Sequence, residues 1–246
     1  QGDLRRDDSS DFGRVTTGRL GGGWRWAPGW KLRALAGTTF RAPSFNDLYY
    51  PGYGVPTLQP ERGRSIEAGV SWQTGASEAS ATVYRNRVSD LIGYEPDRSR
   101  CPADPAYDFG CAANVKSATL QGVTLAAAQR AGPLVLKAQY DWLDASDDTT
   151  GEPLPRRAEH QGTLGAEGTA GAWTWAANLL YVGSRPDGGK QLAAETTLDL
   201  VATWRIAGPW SLQAKLLNAT DEDREPVRDY QGLGRQAWLV LRYAPN

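Results

Sequence analysis

The sequence has no methionine, one histidine, two cysteines and four phenylalanines. It has no surplus of either charge, the formal net charge being −1. That balance leaves no basic footprint for nucleic acid. Mean hydropathy is −0.51, and no apolar run approaches the roughly 20 residues of a membrane helix. A helical membrane protein is therefore excluded. A β-barrel is not, because its strands span with about 9–11 residues and hide their apolarity in alternation. Gly21-Gly22-Gly23 is no phosphate loop, since neither Lys-Ser/Thr nor a helix follows it. The chain begins at Gln1 with no initiator methionine and no signal peptide, and the expectation is a piece of a longer chain.

Tryptophan and tyrosine are abundant, at 10 each against 4 phenylalanines. These amphipathic side chains concentrate at membrane–water interfaces. Period-two alternation recurs along the chain. Trp30, Leu32, Ala34, Ala36 and Phe40 share one parity, with Lys31, Arg33 and Arg41 on the other. Leu134, Leu136, Ala138, Tyr140 and Trp142 oppose Val135, Lys137, Gln139 and Asp141. One face can meet lipid while the other meets water. Residues 79–94 resist this reading, because Arg85 and Arg87 share parity with Val83 and Leu91. About eleven strands are expected. Tight turns alternate with long loops, and Trp24, Trp26, Trp30, Trp72, Trp173, Trp175, Trp204 and Trp210 all sit beside the tight turns. This is the pattern of an antiparallel transmembrane barrel with one aromatic girdle. Residues 2–11, polar and charged, read as the tail of a loop, and residues 185–193 as a loop. The first strand is then one that descends to a tight turn, and an odd number of strands would precede Gln1.

Residues 40–61 carry four prolines, so neither helix nor central strand can run through them. They also carry Phe45, Tyr49, Tyr50 and Tyr53, which a merely solvated loop does not need. These four are the candidate ligand contacts, since pockets favour aromatic linings. Packing of the loop on itself, or an outer aromatic girdle, is the alternative. Cys101 and Cys111 lie close together in a second long loop, and suit a disulfide in an oxidising compartment. Two free thiols is the other possibility, and two cysteines alone make no metal site. Asp144, Asp147 and Asp148, like Asp221, Glu222 and Asp223, lack the spacing and turn glycine of a calcium loop and read as solvated charge. His160 reads as a strand or lumen residue, since triads and zinc sites need more than it supplies. No catalytic residue, metal or cofactor is expected.

Phe40-Arg41-Ala42-Pro43-Ser44-Phe45-Asn46-Asp47-Leu48-Tyr49, followed by Leu58-Gln59-Pro60-Glu61, resembles the signature of TonB-dependent outer-membrane transporters. Tyr84-Arg85-Asn86-Arg87-Val88-Ser89-Asp90-Leu91-Ile92, Tyr140-Asp141-Trp142-Leu143-Asp144-Ala145 and Pro155-Arg156-Arg157-Ala158 are similar to the cobalamin (vitamin B12) branch. Lys215-Leu216-Leu217-Asn218-Ala219-Thr220-Asp221 stands where the family usually has Asn-Leu-Phe-Asp, and Ala219-Thr220 departs from it. Gly232-Leu233-Gly234-Arg235 fits the usual lead-in to the final strand. The chain ends Arg242-Tyr243-Ala244-Pro245-Asn246, without the terminal aromatic usual for the barrel-assembly machinery. The resemblance implies that residues 1–246 are the C-terminal half of a 22-stranded barrel, with eleven more strands and a plug domain elsewhere. It implies a bacterial outer-membrane transporter, not an enzyme. The ligand would be cobalamin, or alternatively a siderophore or other metal chelate, and a passive porin-like channel is a weaker rival. Its partners would be outer-membrane lipid, the TonB complex through the plug, and the assembly machinery through the last strand.

Overall fold

The computed structural model describes residues 1–244, apart from the side chains of Val115 and Lys116. The expectation for the last two residues, Pro245 and Asn246, lies outside the described residues. In chain order the elements are β1 (Gly2–Ser9), β2 (Gly13–Ala27), β3 (Trp30–Arg41), α1 (Phe45–Tyr49), β4 (Glu61–Thr74), β5 (Ser77–Glu95), β6 (Cys111–Ala131), β7 (Leu134–Asp147), β8 (His160–Ala170), β9 (Trp173–Val182), β10 (Arg185–Asp187), β11 (Lys190–Leu192), β12 (Glu195–Ala207), β13 (Trp210–Leu217) and β14 (Gln236–Tyr243). β10 and β11 form a small sheet of their own. The other strands form one 12-stranded antiparallel sheet in chain order, with β1 and β14 at its edges.

All the strands read from the sequence are present, and one more precedes them. Residues 2–11 are not a loop tail: β1 pairs with β2 from Gly2↔Leu20 to Ser9↔Gly13. Its charges face partners across the ladder, Asp3 opposite Arg19 and Asp8 opposite Arg14, and both pairs are ion-paired. The first strand therefore runs toward the loop end, not away from it. Residues 185–193 likewise contain the β10–β11 hairpin, turned by Gly188 and Gly189, both at positive φ. Two consecutive positive-φ residues are what a hairpin turn matched to strand twist requires. The tight turns at the other end each place a glycine at positive φ, at Gly29, Gly75, Gly132, Gly171 and Gly208.

Register makes the alternation continuous across the sheet, because directly paired residues share a face. Trp24 pairs with Leu32, Leu32 with Val70, Val70 with Ala81, Ala81 with Leu125 and Leu125 with Tyr140. Farther on, Ala138 pairs with Leu164, Leu164 with Leu179 and Leu179 with Leu198. The last strands continue it, with Leu200 opposite Leu216 and Leu212 opposite Leu241. The other face is polar and cross-linked: Arg33 donates to Thr82 at 2.7 Å, Thr124 to Asp141 at 2.6 Å and Gln213 to Thr203 at 3.0 Å.

The tryptophans beside the turns touch one another on the apolar face. Ring centroids lie 5.4 Å apart for Trp26–Trp30, 6.2 Å for Trp30–Trp72 and 5.7 Å for the stacked Trp173–Trp204. At the loop end of that face the Tyr140 hydroxyl lies 2.7 Å from His160 Nδ1. The lone histidine is thus an exposed strand residue on the apolar wall. The hydrophobic cluster of buried residues, Leu48, Leu58 and Ala112, lies at the loop end, where the connection after β3 meets the start of β6.

Candidate functional site

The connection from β3 to β4 and the connection from β5 to β6 fold into one body at the loop end of the sheet. Ser44 caps α1, accepting the Asp47 amide, while Asp47 accepts the Ser44 amide at 2.8 Å. This reciprocal capping satisfies donors that a five-residue helix would otherwise leave bare. Leu48 is thereby turned inward onto Leu58 and Ala112, with Tyr53, Val55 and Ile92 packed around them. Main-chain and side-chain bonds then join the loops. The Ala112 amide donates to Tyr53 O at 2.8 Å, and the Tyr107 hydroxyl donates to Gly54 O at 2.7 Å. Asn114 bridges to both the amide and the carbonyl of Gln59, each at 2.8 Å. Cys101 and Cys111 are disulfide-bonded, with Cα atoms 5.8 Å apart, closing the second loop on itself.

Arg41 fastens this body to the sheet. Its guanidinium donates to Glu61 from Nε at 2.8 Å and from Nη2 at 2.5 Å, and lies 3.7 Å from Asp47. Glu61, buried, also accepts the Ile92 amide at 2.9 Å. A planar two-point contact of this kind holds geometry as well as charge. The motif residues around the aromatics are thus structural ties between strands and loops.

The four aromatics from the first loop do not behave alike. Phe45, Tyr49 and Tyr50 are exposed, Phe45 at 77 %. The Phe45 and Tyr49 rings lie 4.9 Å apart. Tyr53 is folded into the loop–loop contact, and burial, then the Asp47 carboxylate, push its phenol above the usual tyrosine range. The structure adds two exposed aromatics that the sequence reading passed over. Phe109, 87 % exposed, stands on the disulfide loop, and Tyr94, at the end of β5, bonds to its carbonyl. One of only four phenylalanines placed inside a disulfide-closed loop was the signal. These exposed aromatics on a cross-linked mount leave apolar area open to solvent at the loop end.

The acidic residues set aside as solvated charge are held by hydrogen bonds, Asp144 within the sheet itself. Asp221 accepts the Arg235 amide at 2.8 Å, which with the Arg235 charge holds its carboxyl below the usual range. Asp144 accepts from Gln121, and Asp148 from Thr119. Lys190 binds both carboxylate oxygens of Glu225, at 2.6 and 2.7 Å, and this is the first cause of its lowered pKa. Arg185 and Glu195, both buried, meet at 3.5 Å with Arg224 on the same carboxylate. Among the described residues no group of three or more His, Cys, Asp and Glu is arranged to hold a metal ion.

Comparison with known proteins agrees with this geometry. The family model described as TonB dependent receptor-like, beta-barrel matches residues 1–219. The "Vitamin B12 transporter BtuB" of Photobacterium profundum is 29 % identical over 99 % of this chain and 40 % of its own. The protein of the same name from Vibrio vulnificus is 29 % identical over 98 % of this chain and 39 % of its own. The chain thus spans about two fifths of the length of these curated relatives. Among solved structures, the ferric enterobactin receptor PfeA (Q482A mutant) from Pseudomonas aeruginosa, in complex with enterobactin, gives a TM-score of 0.80 at 17 % identity, over 98 % of this chain and 42 % of its own. The copper transporter OprC gives 0.77 at 17 % identity, over 94 % of this chain and 40 % of its own.

Proposed function

Because the chain belongs to the TonB-dependent receptor β-barrel family, whose members lie in the bacterial outer membrane, we propose that it supplies barrel wall and outer loops to an active importer of cobalamin. The family is one of receptors and transporters, and the proposal includes no covalent chemistry. Residues 1–246 are proposed as the C-terminal part of the barrel. A barrel of about 22 strands would draw ten more (22 less the 12 of this sheet) from the remainder of the protein. The apolar face meets outer-membrane lipid, and the polar face lines the lumen. The TonB complex acts on a plug outside this chain, and β14 is the strand offered to the assembly machinery.

The observation that carries the reading is the exposed set Phe45, Tyr49 and Tyr50 on a loop body fixed by Arg41, Glu61 and the disulfide. Rigid aromatics present area to a bulky ligand at little entropic cost. The printed names of the curated relatives favour cobalamin. A second reading, a siderophore or other metal-chelate receptor, is favoured by the fold neighbours, among them the siderophore receptor PirA and the ferric enterobactin receptor PfeA. Titrating the purified parent protein with cobalamin and with ferric catechol chelates separates the two. Saturable binding of cobalamin alone supports the first, and binding of a ferric chelate alone replaces it with the second.

A further inference from the structure

On β4 and β5 the parity that carries Ile66 and Val83 continues toward the loop end as Arg64 and Arg62 on one strand and Arg85 and Arg87 on the other. All four are exposed. Arg64 and Arg87 are directly paired across the ladder, and Arg85 pairs with Ile66. Like charges placed directly opposite destabilise a strand pair. Among the described residues only one carboxylate relieves them: Asp148 lies 3.4 Å from Arg87. Asp144, on the same parity, is engaged by Gln121. Among the described residues no side-chain bond or ion pair holds Arg62, Arg64 or Arg85. Arg62, Arg64 and Arg87 line a cavity of about 420 Å³ together with Thr16, Thr38 and Ser89, hydroxyl side chains of the same parity. The four arginines lie on β4 and β5, the fourth and fifth strands from the edge β1, with paired strands on both sides.

The depth of the patch identifies its partner. Arg64 stands two residues beyond Ile66, and Arg85 two beyond Val83, a rise of about 6.5 Å along a strand. A cluster one step outside the apolar belt, on the outward wall, lies at headgroup level. We propose that this patch binds the phosphate groups of a phosphorylated lipid of the outer leaflet. Its acyl chains would lie along Ile66, Ala68 and Val83, and its phosphates would accept bonds from Arg62, Arg64, Arg85 and Arg87. Guanidinium groups match phosphate oxygens two at a time. The arginines that break the alternation of β5 are thereby explained: they belong to the outer wall above the apolar zone. The proposal rests on the outer-membrane barrel and not on which ligand the loops take.

The test uses the full-length parent protein in detergent, with native mass spectrometry counting bound lipid. Its probes are lipid A, dephosphorylated lipid A and inorganic phosphate. Lipid A is expected to be retained, while dephosphorylated lipid A and the triple variant R62Q/R64Q/R85Q each lose at least about ten-fold in affinity. The charge-keeping variant R62K/R64K/R85K recovers part of the loss. Heat-modifiable migration, read in parallel, reports whether each variant folds. Equal retention of the two lipid forms would overturn the proposal, and this comparison needs no variant. Full binding by the folded glutamine variant would overturn it as well. Displacement of lipid A by equimolar inorganic phosphate would overturn the lipid assignment in favour of the free anion.

Discussion

Arg41 and Glu61 close the mouth of the first loop, the guanidinium meeting both carboxylate oxygens at 2.8 and 2.5 Å. Glu61 has little other access to water, its side chain being 10 % exposed. Arg41→Ala strips the carboxylate of its charged donor, and a buried acceptor left short of a partner costs about 1–3 kcal/mol. Hydrogen exchange at the Leu48 and Ala112 amides should quicken accordingly. Exchange in β7 and β8 should not change. Equal rates at Leu48 in the two proteins would show that the pair does not fasten the loop.

The disulfide limits the open ensemble of the second loop, whose cysteines are 10 residues apart. Closing a loop of this size is worth about 2–3 kcal/mol in the chain-entropy view. Reduction, or Cys101→Ala with Cys111→Ala, should open residues 96–110 to protease while the barrel stays resistant. Unchanged cleavage would mean that the bonds from Tyr107 and Asn114 to the first loop suffice alone.

The assignment of faces is tested by charge. Leu164→Arg places a cation on the apolar face and should destabilise the folded barrel by about 2–4 kcal/mol. Gln139→Arg, on the polar face one strand away, should alter unfolding in lipid vesicles by less than about 0.5 kcal/mol. Reversal of that order would exchange the two faces.

Acid should loosen the loop that leads into β14. Asp221 and Glu225 have folded pKa values below their ordinary ones, Asp221 chiefly through the Arg235 amide and Glu225 chiefly through Lys190. A depressed carboxylate contributes stability in full above its unfolded pKa, about 4. That contribution fades as pH falls from there through the lower folded values. Exchange protection in residues 218–235 should therefore drop below about pH 4 and be flat above about pH 6. Loss on the alkaline side instead would contradict the sign.

Much of this fold was legible in the alternation. Leu134 to Trp142 and Trp30 to Phe40 declare their faces because one apolar row must stay together, and the tight turns announce themselves through glycine and proline. β1 was not legible, since Leu4 is its only large apolar residue and its strand character comes from Arg19 and Arg14 on the neighbouring strand. Pairing between distant segments leaves no local mark. β10 and β11 were lost for their brevity, although Gly188-Gly189 carried the turn signal. At the loops, four aromatics could be named, but not which would pack inward. That choice depends on Tyr53 meeting Ala112, 59 positions later in the chain (112 less 53). Phe109 and Tyr94 were missed because the second loop was read through its cysteines alone.

Truncating the exposed aromatics tests the contact surface. Phe45→Ala and Tyr49→Ala should each weaken cobalamin binding by about 1–2 kcal/mol, roughly five- to thirty-fold. Tyr53→Phe should leave it within about two-fold, since that ring packs between the loops. Equal binding by all three would move the ligand contacts elsewhere.

The most direct measurement is uptake of labelled cobalamin by cells carrying the intact parent protein, with and without TonB. Saturable binding in both strains, with uptake only where TonB is present, is the expected result. Absence of binding by protein shown to be folded in the outer membrane would contradict the cobalamin assignment.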